Sequence, residues 1–405
     1  MKIISVNKFY WNKGGSESVF FGEMELLESN GHEVVPFSMK AENNLESPYS
    51  KYFVENVDYS STGSSGKIKA AMNIIYSFEA RSKMKQLLQK FVPDIAHFHI
   101  FQHQISPSVF GPLREKKIPL VLTLHDLKPI CPIYSMYTNG AVCEACKGRK
   151  FYNCFIKKCT KGSRFKSLIN TVEMYFHYMM GYYQNVDRYI AVSQFHRNKM
   201  LENGFKNEQV VYIPNYIDVD KFHLPYEDKG YGLSFGRLSH EKGLDHLLEA
   251  IAITDKVPFY IAGTGPLEDE LKLLVDQRNL KNIKFLGFVS GDELLNLISR
   301  ASFTVISSIV YENCPMSVLE SLALETPVIG ADIGGIPELI NNNVDGYIYK
   351  PGNSQELAQK VSKIMEDTEK RKKMGEAGRK KIVERFDKEQ HYNKLHALYK
   401  ELVVK

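Results

Sequence analysis

Two glutamates that stand eight positions apart frame the stretch of this sequence best suited to chemistry. Glu312 precedes and Glu320 follows a turn that comes directly after a short apolar run at 303–306. Pro315, between them, suits the first turn of a helix, because the amide that proline lacks would have no partner there. We therefore expect a strand, a loop and a helix N-terminus in this order, and such a terminus attracts phosphate groups.

This turn offers several groups to a phosphorylated ligand. Glu320 would lie within the helix, where a carboxylate can accept hydrogen bonds from both hydroxyls of a ribose. Glu312 lies on the loop, where its carboxylate can accept from a sugar hydroxyl. The remaining residues, which would line the same pocket or present free amides to it, are Asn313, Cys314, Pro315, Met316, Ser317 and Val318. The turn therefore predicts a site for a nucleotide that carries a sugar.

The spacing of the two glutamates resembles the Glu-x7-Glu motif of retaining glycosyltransferases of family 4, also called glycosyl transferases group 1. The resemblance implies a GT-B fold, in which two Rossmann-like α/β domains face a central cleft, and a nucleoside-diphosphate sugar as donor. Within this family, the chain resembles bacterial glycosyltransferases that synthesise capsule and O-antigen polysaccharides. Asn313-Cys314-Pro315 departs from the Gly-Phe-Gly of many members, which leaves the donor sugar open.

The segment from Gly236-Arg237 to Lys242 resembles the part of the family in which two cations hold the diphosphate. The leaving nucleoside diphosphate gains negative charge as the glycosidic bond breaks, and fixed cations stabilise that charge. Arginine matches the geometry of a phosphate, whereas lysine acts as a point charge. We therefore assign catalytic roles to Arg237 and Lys242 beside Glu312, and we expect no catalytic metal or other cofactor.

Other short stretches agree with the resemblance in their order and spacing. Gly14-Gly15 follows the first apolar run, and the resemblance implies that this loop faces the donor diphosphate and the acceptor. His125 ends a later strand, and the family has a histidine there beside the transferred sugar, as a polar contact and not as a nucleophile. The further donor-binding residues that the resemblance implies are Gly236, Gly263, Phe288 and Val289.

Apolar runs alternate with helical patterns almost throughout the chain, which is typical of α/β proteins with parallel sheets. The predicted strands are 2–6, 33–37, 95–98, 120–124 and 189–192, followed by 233–235, 259–262, 283–286, 303–306 and 328–329. We predict an acceptor-binding domain over residues 1–215 and a donor-binding domain over 216–386. The last segment, 387–405, is expected to be a helix that crosses back to the first domain, as in the family.

The composition is ordinary for a globular protein, and 405 residues are too many for one typical core. No apolar run reaches the roughly 20 residues that span a bilayer, and the N-terminus does not resemble a signal peptide. The net charge of +5 hides an asymmetry, because residues 51–200 carry 22 cations and 9 anions, whereas 201–350 carry 12 and 22. We therefore expect a cytoplasmic protein whose first domain suits an anionic partner, and no nucleic-acid partner.

Five of the six cysteines fall within residues 131–159, in an insertion that follows His125. In a cytoplasmic protein such a cluster suggests a metal before disulfides. The thiols that would hold a structural zinc ion are Cys143, Cys146, Cys154 and Cys159, with Cys131 as a substitute. Reduced thiols without a ligand, disulfides and an iron–sulfur cluster remain alternatives.

Two stretches, at 67–91 and 164–183, combine cations with apolar residues at helical spacing. Such a pattern is typical of a protein core, but the cation-rich flanks also suit an anionic membrane surface. Both interpretations stay open. The second favours a peripheral enzyme on the inner face of the cell membrane, with a lipid-linked saccharide as acceptor.

Two other functions are compatible with parts of the pattern. A nucleotide-sugar epimerase of the same architecture would need no acceptor, and the two glutamates at this spacing argue against it. A scaffold that binds a nucleotide without catalysis should have lost Arg237, Lys242 or one of the glutamates, and all four are present. We therefore favour a hexosyltransferase that uses a UDP-sugar or, as the next choice, a GDP-sugar.

Overall fold

The computed structural model describes residues 1–57, 71–254 and 256–403. The chain forms two compact units. Unit one comprises Met1–Ile213 together with Tyr392–Lys405, and unit two comprises Pro214–His391. Each unit contains one six-stranded sheet whose neighbouring strands are parallel. The α/β fold class predicted from the sequence is confirmed.

The sheet of unit one is built from buried apolar runs. Its strands are β1 (Lys2–Val6), β2 (Glu33–Phe37), β3 (Ile95–Phe98), β4 (Leu120–Leu124), β7 (Arg188–Ala191) and β8 (Val210–Tyr212), and a separate antiparallel ribbon consists of β5 (Tyr137–Thr138) and β6 (Ala141–Val142). The strand order is β2-β1-β3-β4-β7-β8. The residues of β3 and β4 are buried throughout, which is expected of a parallel sheet covered on both faces.

Helices follow most of these strands. Those of unit one are α1 (Gly15–Ser29), α2 (Phe78–Lys90), α3 (Phe110–Glu115), α4 (Tyr152–Ile156), α5 (Arg164–Met179) and α6 (Gln194–Glu202). In the described part of the chain, no helix is both long enough and apolar enough to cross a membrane.

Unit two repeats the alternation of strand and helix. Its strands are β9 (Gly232–Phe235), β10 (Phe259–Ala262), β11 (Ile283–Gly287), β12 (Phe303–Ile306), β13 (Val328–Ala331) and β14 (Gly346–Tyr349). Its helices are α7 (Leu244–Thr254), α8 (Glu268–Gln277), α9 (Gly291–Ser299), α10 (Met316–Ala323), α11 (Ile336–Leu339), α12 (Ser354–Glu366) and α13 (Thr368–Arg385). The last helix, α14 (Lys388–Val403), starts in unit two and belongs to unit one from Tyr392 onward.

The strand order of unit two determines where a ligand can bind. The order is β11-β10-β9-β12-β13-β14, so the chain moves outward from β9 in one direction and then returns to β12 on its other side. The loops that follow β9 and β12 therefore leave the sheet in opposite directions, and a crevice opens between them at the carboxyl edge. The segments that the sequence analysis selected, after β9 and after β12, flank this crevice.

Candidate active site

The loops after β9 and β12 are held together by main-chain contacts. The Ser307 hydroxyl donates to the carbonyl of Lys242 at 2.7 Å, and the amide of Ile309 donates to the carbonyl of Glu241 at 3.0 Å. Gly243 adopts a φ of +59°, and a Cβ there would lie 2.4 Å from the carbonyl oxygen of Ser307. Glycine is therefore needed at this position for the loops to approach, and their approach places Lys242 opposite the loop that follows β12.

Lys242 and Glu312 form an ion pair across this junction. The distance from Nζ to Oε1 is 2.6 Å, and the Ser308 hydroxyl donates to the same carboxylate oxygen at 2.6 Å. Burial lowers the pKa of Lys242, but the Glu312 carboxylate more than offsets this, so that the pKa lies above its usual value. The lysine is a cation at neutral pH. The ammonium group can bind an incoming diphosphate, while the carboxylate can accept a hydrogen bond from a sugar hydroxyl.

Arg237 supplies a second cation on the loop after β9. Its side chain is exposed, and the part of the chain described by the structure contains no ion-pair or hydrogen-bond partner for it. The neighbouring backbone is compact, because a Cβ on Gly263 would lie 1.9 Å from the carbonyl oxygen of Gly236. The amide of Gly263 also donates to Gly287 at 2.6 Å. These glycines thus allow three loops to meet at the carboxyl edge.

The loop that carries Glu312 also rests on a pair of glycines. The amide of Gly335 donates to the carbonyl of Glu312 at 2.8 Å, and a Cβ on Gly334 would lie 2.3 Å from the same oxygen. On its other side, the Asn215 side-chain amide donates to the carbonyl of Cys314 at 2.8 Å. The position of the Glu312 carboxylate therefore depends on how two distant parts of the chain hold the main chain of its loop.

Helix α10 begins at Met316, with Pro315 in an extended conformation as its N-cap and without a side-chain acceptor for its first amides. We expected free amides at Met316, Ser317 and Val318, and this expectation needs one correction. The amide of Val318 donates to the carbonyl of Pro315 at 3.1 Å, because the first turn closes there, so only Met316 and Ser317 retain uncapped amides. Cys314 does not present a thiol to this site, since its side chain is only 1% exposed and burial raises its pKa to about 12.

Glu320 lies in the middle of α10 and is only partly accessible. Burial raises the pKa of its carboxyl group to about 7. No donor to this carboxyl group is found among the residues that the structure describes. A desolvated carboxylate without a compensating hydrogen bond is costly. The hydroxyls of a ribose would supply the missing donors.

Phe288 and Val289 follow β11, where the resemblance expects contact with the nucleotide base. Phe288 is 74% exposed, whereas Val289 is partly buried against a small apolar cluster of unit two. Gly287, before them, has a φ of +72°. The exposed phenylalanine leaves a large apolar face that a base can cover.

In unit one, the glycine loop leads into α1. Gly14 is the N-cap residue in an extended conformation, and no side chain caps the helix, so the first amides after Gly14 and Gly15 have no side-chain acceptor. Glu17 lies in this first turn and is only 4% exposed. Burial raises its pKa, although the Ser16 hydroxyl donates to its carboxylate at 3.1 Å.

His125 follows β4 and is joined to a histidine that the sequence analysis did not select. Its Nε2 lies 2.9 Å from Nδ1 of His99, and the two rings stack with centroids 5.2 Å apart. The Nε2 of His99 lies 3.4 Å from a carboxylate oxygen of Glu23. Burial lowers the pKa of His125 to about 4, so its imidazole is neutral at neutral pH. A neutral ring suits the role of a polar contact.

His97, which lies in the interior strand β3 two positions before His99, belongs to the same buried group. Its ring nitrogens lie 2.7 Å from the Thr123 hydroxyl and 2.7 Å from the Tyr399 hydroxyl. Within the described residues, Glu23, His97 and His99 form the one group of three potential metal ligands with donor atoms within 4.8 Å of one another. Both nitrogens of His97 already have partners, so we assign this cluster to hydrogen bonding.

The cysteines of the insertion do not form the predicted tetrahedral site. Thiolates around one zinc ion lie about 3.8 Å apart, whereas no three of these five thiols, all within the described residues, have sulfur atoms within 4.8 Å of one another. All six cysteines are free thiols. Cys131, Cys143 and Cys146 line one small cavity, and a hydrogen bond with the Cys154 thiol lowers the pKa of Cys159 below its usual value.

Asp218 and Asp220 stand at a spacing that resembles a metal-binding Asp-x-Asp motif. Both carboxylates accept from Nζ of Lys388, each at 2.8 Å. Lys388 therefore bridges the two carboxylates, and Nζ of Lys221 lies 3.7 Å from Asp218, so we assign the pair a structural role.

The fold and the arrangement of the second unit define a glycosyltransferase of the GT-B type. The model for Glycosyltransferase Family 4 matches residues 13–221, more than half of the chain, and the model for Glycosyl transferases group 1 matches residues 217–381. The chain belongs to glycosyltransferase family 4 and is an enzyme of that class.

Similar proteins agree with this assignment. An uncharacterized glycosyltransferase of Methanocaldococcus jannaschii is 25% identical over 405 residues, which is 99% of each chain. The amylovoran biosynthesis glycosyltransferase AmsK of Erwinia amylovora is 28% identical over 183 residues, 42% of this chain and 45% of that protein. The crystal structure of HepE from Anabaena in complex with UDP has a TM-score of 0.71 at 18% identity and covers 99% of this chain and 100% of that chain. This last likeness establishes the fold.

Proposed function

We propose that this enzyme transfers a hexose from a nucleoside-diphosphate sugar to a hydroxyl of a saccharide acceptor, with retention of the anomeric configuration and without a catalytic metal. The observation that carries the proposal is the Lys242–Glu312 pair, 2.6 Å apart at the switch point of the second sheet. Arg237, on the loop after β9, offers a further cation. HepE was crystallised with UDP, which supports a UDP-sugar as the first choice of donor and a GDP-sugar as the next.

The donor would be bound along the carboxyl edge of unit two. Glu320 would accept hydrogen bonds from the ribose hydroxyls, and the amides of Met316 and Ser317 would donate to the diphosphate. The base would lie against Phe288 and the main chain at Val289. Pocket residues between the two glutamates are Asn313, Cys314 and Pro315, and Cys314 would contribute its main chain only.

The chemistry follows from where charge develops. The bond between the anomeric carbon and the diphosphate oxygen breaks, and the bond from the acceptor oxygen forms on the same face of the sugar. The acceptor proton passes to an oxygen of the leaving diphosphate. Lys242 and Arg237 stabilise the charge on that group, while Glu312 holds a sugar hydroxyl. His125 would contact the transferred sugar as a neutral ring in unit one.

We also propose a lipid-linked saccharide as the acceptor, in the synthesis of a cell-surface polysaccharide such as a capsule or O-antigen. The name of AmsK, an amylovoran biosynthesis glycosyltransferase, supports a polysaccharide product. The excess of 22 cations over 9 anions in residues 51–200 supports an anionic partner for unit one. The enzyme would then work in the cytoplasm, at the inner face of the membrane.

Thermal unfolding in the presence of nucleotides tests the donor site. A ligand that binds the folded state raises the melting temperature with concentration. We expect UDP, or else GDP, to raise it without added metal, and Glu320→Ala to abolish the rise. Glu293→Ala, which changes an exposed glutamate in the first turn of α9, should leave the rise intact. A response to NAD alone, or to none of UDP, GDP, ADP, dTDP and CMP, would contradict the proposal.

A structural zinc ion in the cysteine-rich insertion remains a proposal that depends on the number and spacing of the thiols. Binding would require Cys143, Cys146, Cys154 and Cys159 to approach one another more closely than they do here. Elemental analysis of protein purified without added metal decides the matter. Less than one zinc ion per chain would leave reduced thiols as the answer.

A further inference from the structure

Helix α5 of unit one buries mostly polar side chains and exposes apolar ones. Most of the residues that it buries are polar, namely Ser167, Asn170, Thr171, Glu173 and His177, together with Met174. Its outer face carries apolar residues that are 42–76% exposed, namely Phe165, Leu168, Val172, Tyr175 and Met179. Their spacing of three and four positions places them in one stripe along the helix. The apolar stripe therefore points away from the protein.

The contacts of the buried polar side chains fix the rotation of α5 about its own axis. The Glu173 carboxylate accepts from Nζ of Lys128 at 2.7 Å, and both side chains are at most 1% exposed. The Thr171 hydroxyl donates to the carbonyl of Phe151 at 3.3 Å, and Nε2 of His177 lies 2.8 Å from the carbonyl of Ile75. Rotation of α5 would break these contacts and leave the Lys128 ammonium group buried without its carboxylate partner.

Helix α4 extends the same surface. It packs against α5, and the amide of Tyr152 donates to the Tyr175 hydroxyl at 3.3 Å. Tyr152, Phe155 and Ile156 are 38–63% exposed. We call these eight side chains on α4 and α5 the hairpin surface. Monomeric soluble proteins seldom leave so many large apolar groups together in water.

The charges around the hairpin surface have one sign. Between residues 145 and 172 the sequence has eight lysines and arginines and no aspartate or glutamate. All eight are exposed, and within the described residues only Lys147 has a carboxylate partner, Glu202 at 3.2 Å. The other seven are Arg149, Lys150, Lys157, Lys158, Lys161, Arg164 and Lys166. Their charge is not balanced locally.

From these observations we infer that the hairpin surface docks on the headgroup and upper acyl region of an anionic lipid bilayer. Apolar side chains on one face with cations at their margins are the pattern of a helix that lies in a membrane interface. A second copy of the chain fits less well, because a two-fold contact through α5 would bring the same unbalanced cations together. Anionic lipid neutralises these cations and also covers the apolar stripe.

The other stretch considered for membrane contact, 67–91, does not present a comparable apolar stripe among its described residues. The part of 67–91 before residue 71 lies outside the described residues. In α2, Met84, Leu87 and Leu88 are at most 1% exposed and pack in the core of unit one. Met72 and Phe78, in the same stretch, are 58% and 78% exposed, but they are not part of the hairpin surface, to which the inference is confined. This inference deepens the proposed lipid-linked acceptor but does not rest on the donor chemistry of unit two.

Vesicle flotation with the full-length protein tests the inference. We expect binding to vesicles of phosphatidylcholine with phosphatidylglycerol at low salt, weaker binding at high salt, and little binding to phosphatidylcholine alone. Phe165→Asp combined with Val172→Asp should reduce binding at least tenfold. Lys157→Glu combined with Lys158→Glu should reduce it severalfold and weaken its salt dependence.

Two control variants separate the surface from general effects of charge. Leu273→Asp changes an apolar residue that is 56% exposed on α8, and Lys372→Glu with Lys373→Glu reverses an adjacent exposed pair on α13. Both should bind vesicles like the parent protein. The inference is wrong if the parent does not bind the anionic vesicles, if the control variants lose binding equally, or if Phe165→Asp with Val172→Asp dissociates a dimer without vesicles. Retained nucleotide-induced stabilisation in every variant would show that the donor site is intact.

Discussion

At the scale of single residues, the candidate site is defined by what its charged groups contact before any ligand arrives. Lys242 contacts Glu312, whereas Glu320 has no donor among the described residues. The first contact keeps a cation and an anion in place at low electrostatic cost. The second leaves a carboxyl group that is partly protonated near neutral pH, because burial raises its pKa to about 7.

Lys242→Ala should lower kcat by about a hundredfold to a thousandfold, the usual effect of removing one group that stabilises charge on a leaving oxygen. Lys272→Ala is the matched control, since Lys272 also pairs with a glutamate, at 2.7 Å from Glu268, but on the exposed face of α8. Steady-state transfer rates with the donor found by thermal unfolding provide the measurement. A loss below tenfold for Lys242→Ala would remove this lysine from the catalytic step.

Glu320→Gln should stabilise the folded protein at alkaline pH. In acid below the ordinary carboxyl pKa, Glu320 is protonated in the folded and unfolded states and burial has no electrostatic cost. As the pH rises towards 7, the unfolded chain ionises first, so the parent protein loses stability, and the loss levels off above the folded pKa of about 7. The difference in the free energy of unfolding between the variant and the parent protein should reach at most about 3 kcal/mol.

Urea unfolding at a series of pH values measures this difference. It should grow between acid and pH 8, whereas Glu293→Gln, an exposed control on α9, should give a flat profile. The same Glu320→Gln variant should bind UDP more weakly, because an amide accepts fewer hydrogen bonds from ribose hydroxyls than a carboxylate does. A stability difference independent of pH would show that Glu320 is already ionised in the folded protein.

At the scale of elements, the site depends on loops that approach one another at the carboxyl edge of a parallel sheet. The loop after β12 is held by Gly334 and Gly335 on one side and by Asn215 on the other. The contact with the glycines is made by main-chain atoms, whereas Asn215 donates from its side-chain amide to a main-chain carbonyl of the loop. Substitutions that add volume should therefore displace Glu312 without touching its side chain.

Gly334→Ala tests this dependence on main-chain contact. Its φ of +62° and the 2.3 Å from its Cβ to the Glu312 carbonyl oxygen combine backbone strain with a clash. Gly230→Ala has a similar φ, +77°, but its Cβ would meet nothing within 4 Å. The control should therefore lose only the roughly 1–2 kcal/mol of a left-handed alanine.

Denaturant unfolding and kcat should be measured for both variants. We expect Gly334→Ala to lose more stability than Gly230→Ala and to lose at least tenfold in kcat, while Gly230→Ala keeps its rate. Equal losses in stability with unchanged rates would mean that the loop adjusts and that its contact with Gly334 does not position Glu312.

At the scale of the whole molecule, the chain returns to unit one after completing unit two. The residues of α14 beyond Tyr392 belong to unit one, where Leu395 and Tyr399 are fully buried. The Tyr399 hydroxyl lies 2.7 Å from His97, within the histidine group that adjoins His125. The stability of unit one therefore depends on the last residues of the chain.

Leu395→Ala should destabilise unit one by about 2–5 kcal/mol through the cavity it leaves. Hydrogen exchange followed by mass spectrometry should show faster exchange in peptides of the first sheet, with little change in peptides of the second sheet. Lys394→Ala, exposed on the same helix, should change neither. Faster exchange confined to unit two would contradict the assignment of this helix.

The sequence by itself determined where most strands and helices lie and which kinds of side chain follow them. The strands β1, β2, β3 and β4 begin and end where their apolar runs do, because burial on both faces of a parallel sheet requires a continuous apolar segment. The apolar patterns did not predict β8, which has three residues, or β14, which begins with Gly346. The apolar run at 303–306 and Pro315 were sufficient to locate a strand, a loop and a helix start.

Only the tertiary structure decided which polar groups meet. Lys242 and Glu312 are 70 residues apart, and they pair because strand order places β9 beside β12. The contact between His99 and His125 arises in the same way from the pairing of β3 with β4. The outward apolar stripe of α5 could not be predicted either, because helical periodicity shows that two faces differ but not which face is buried. That choice depends on partners such as Lys128, which fixes Glu173 inside.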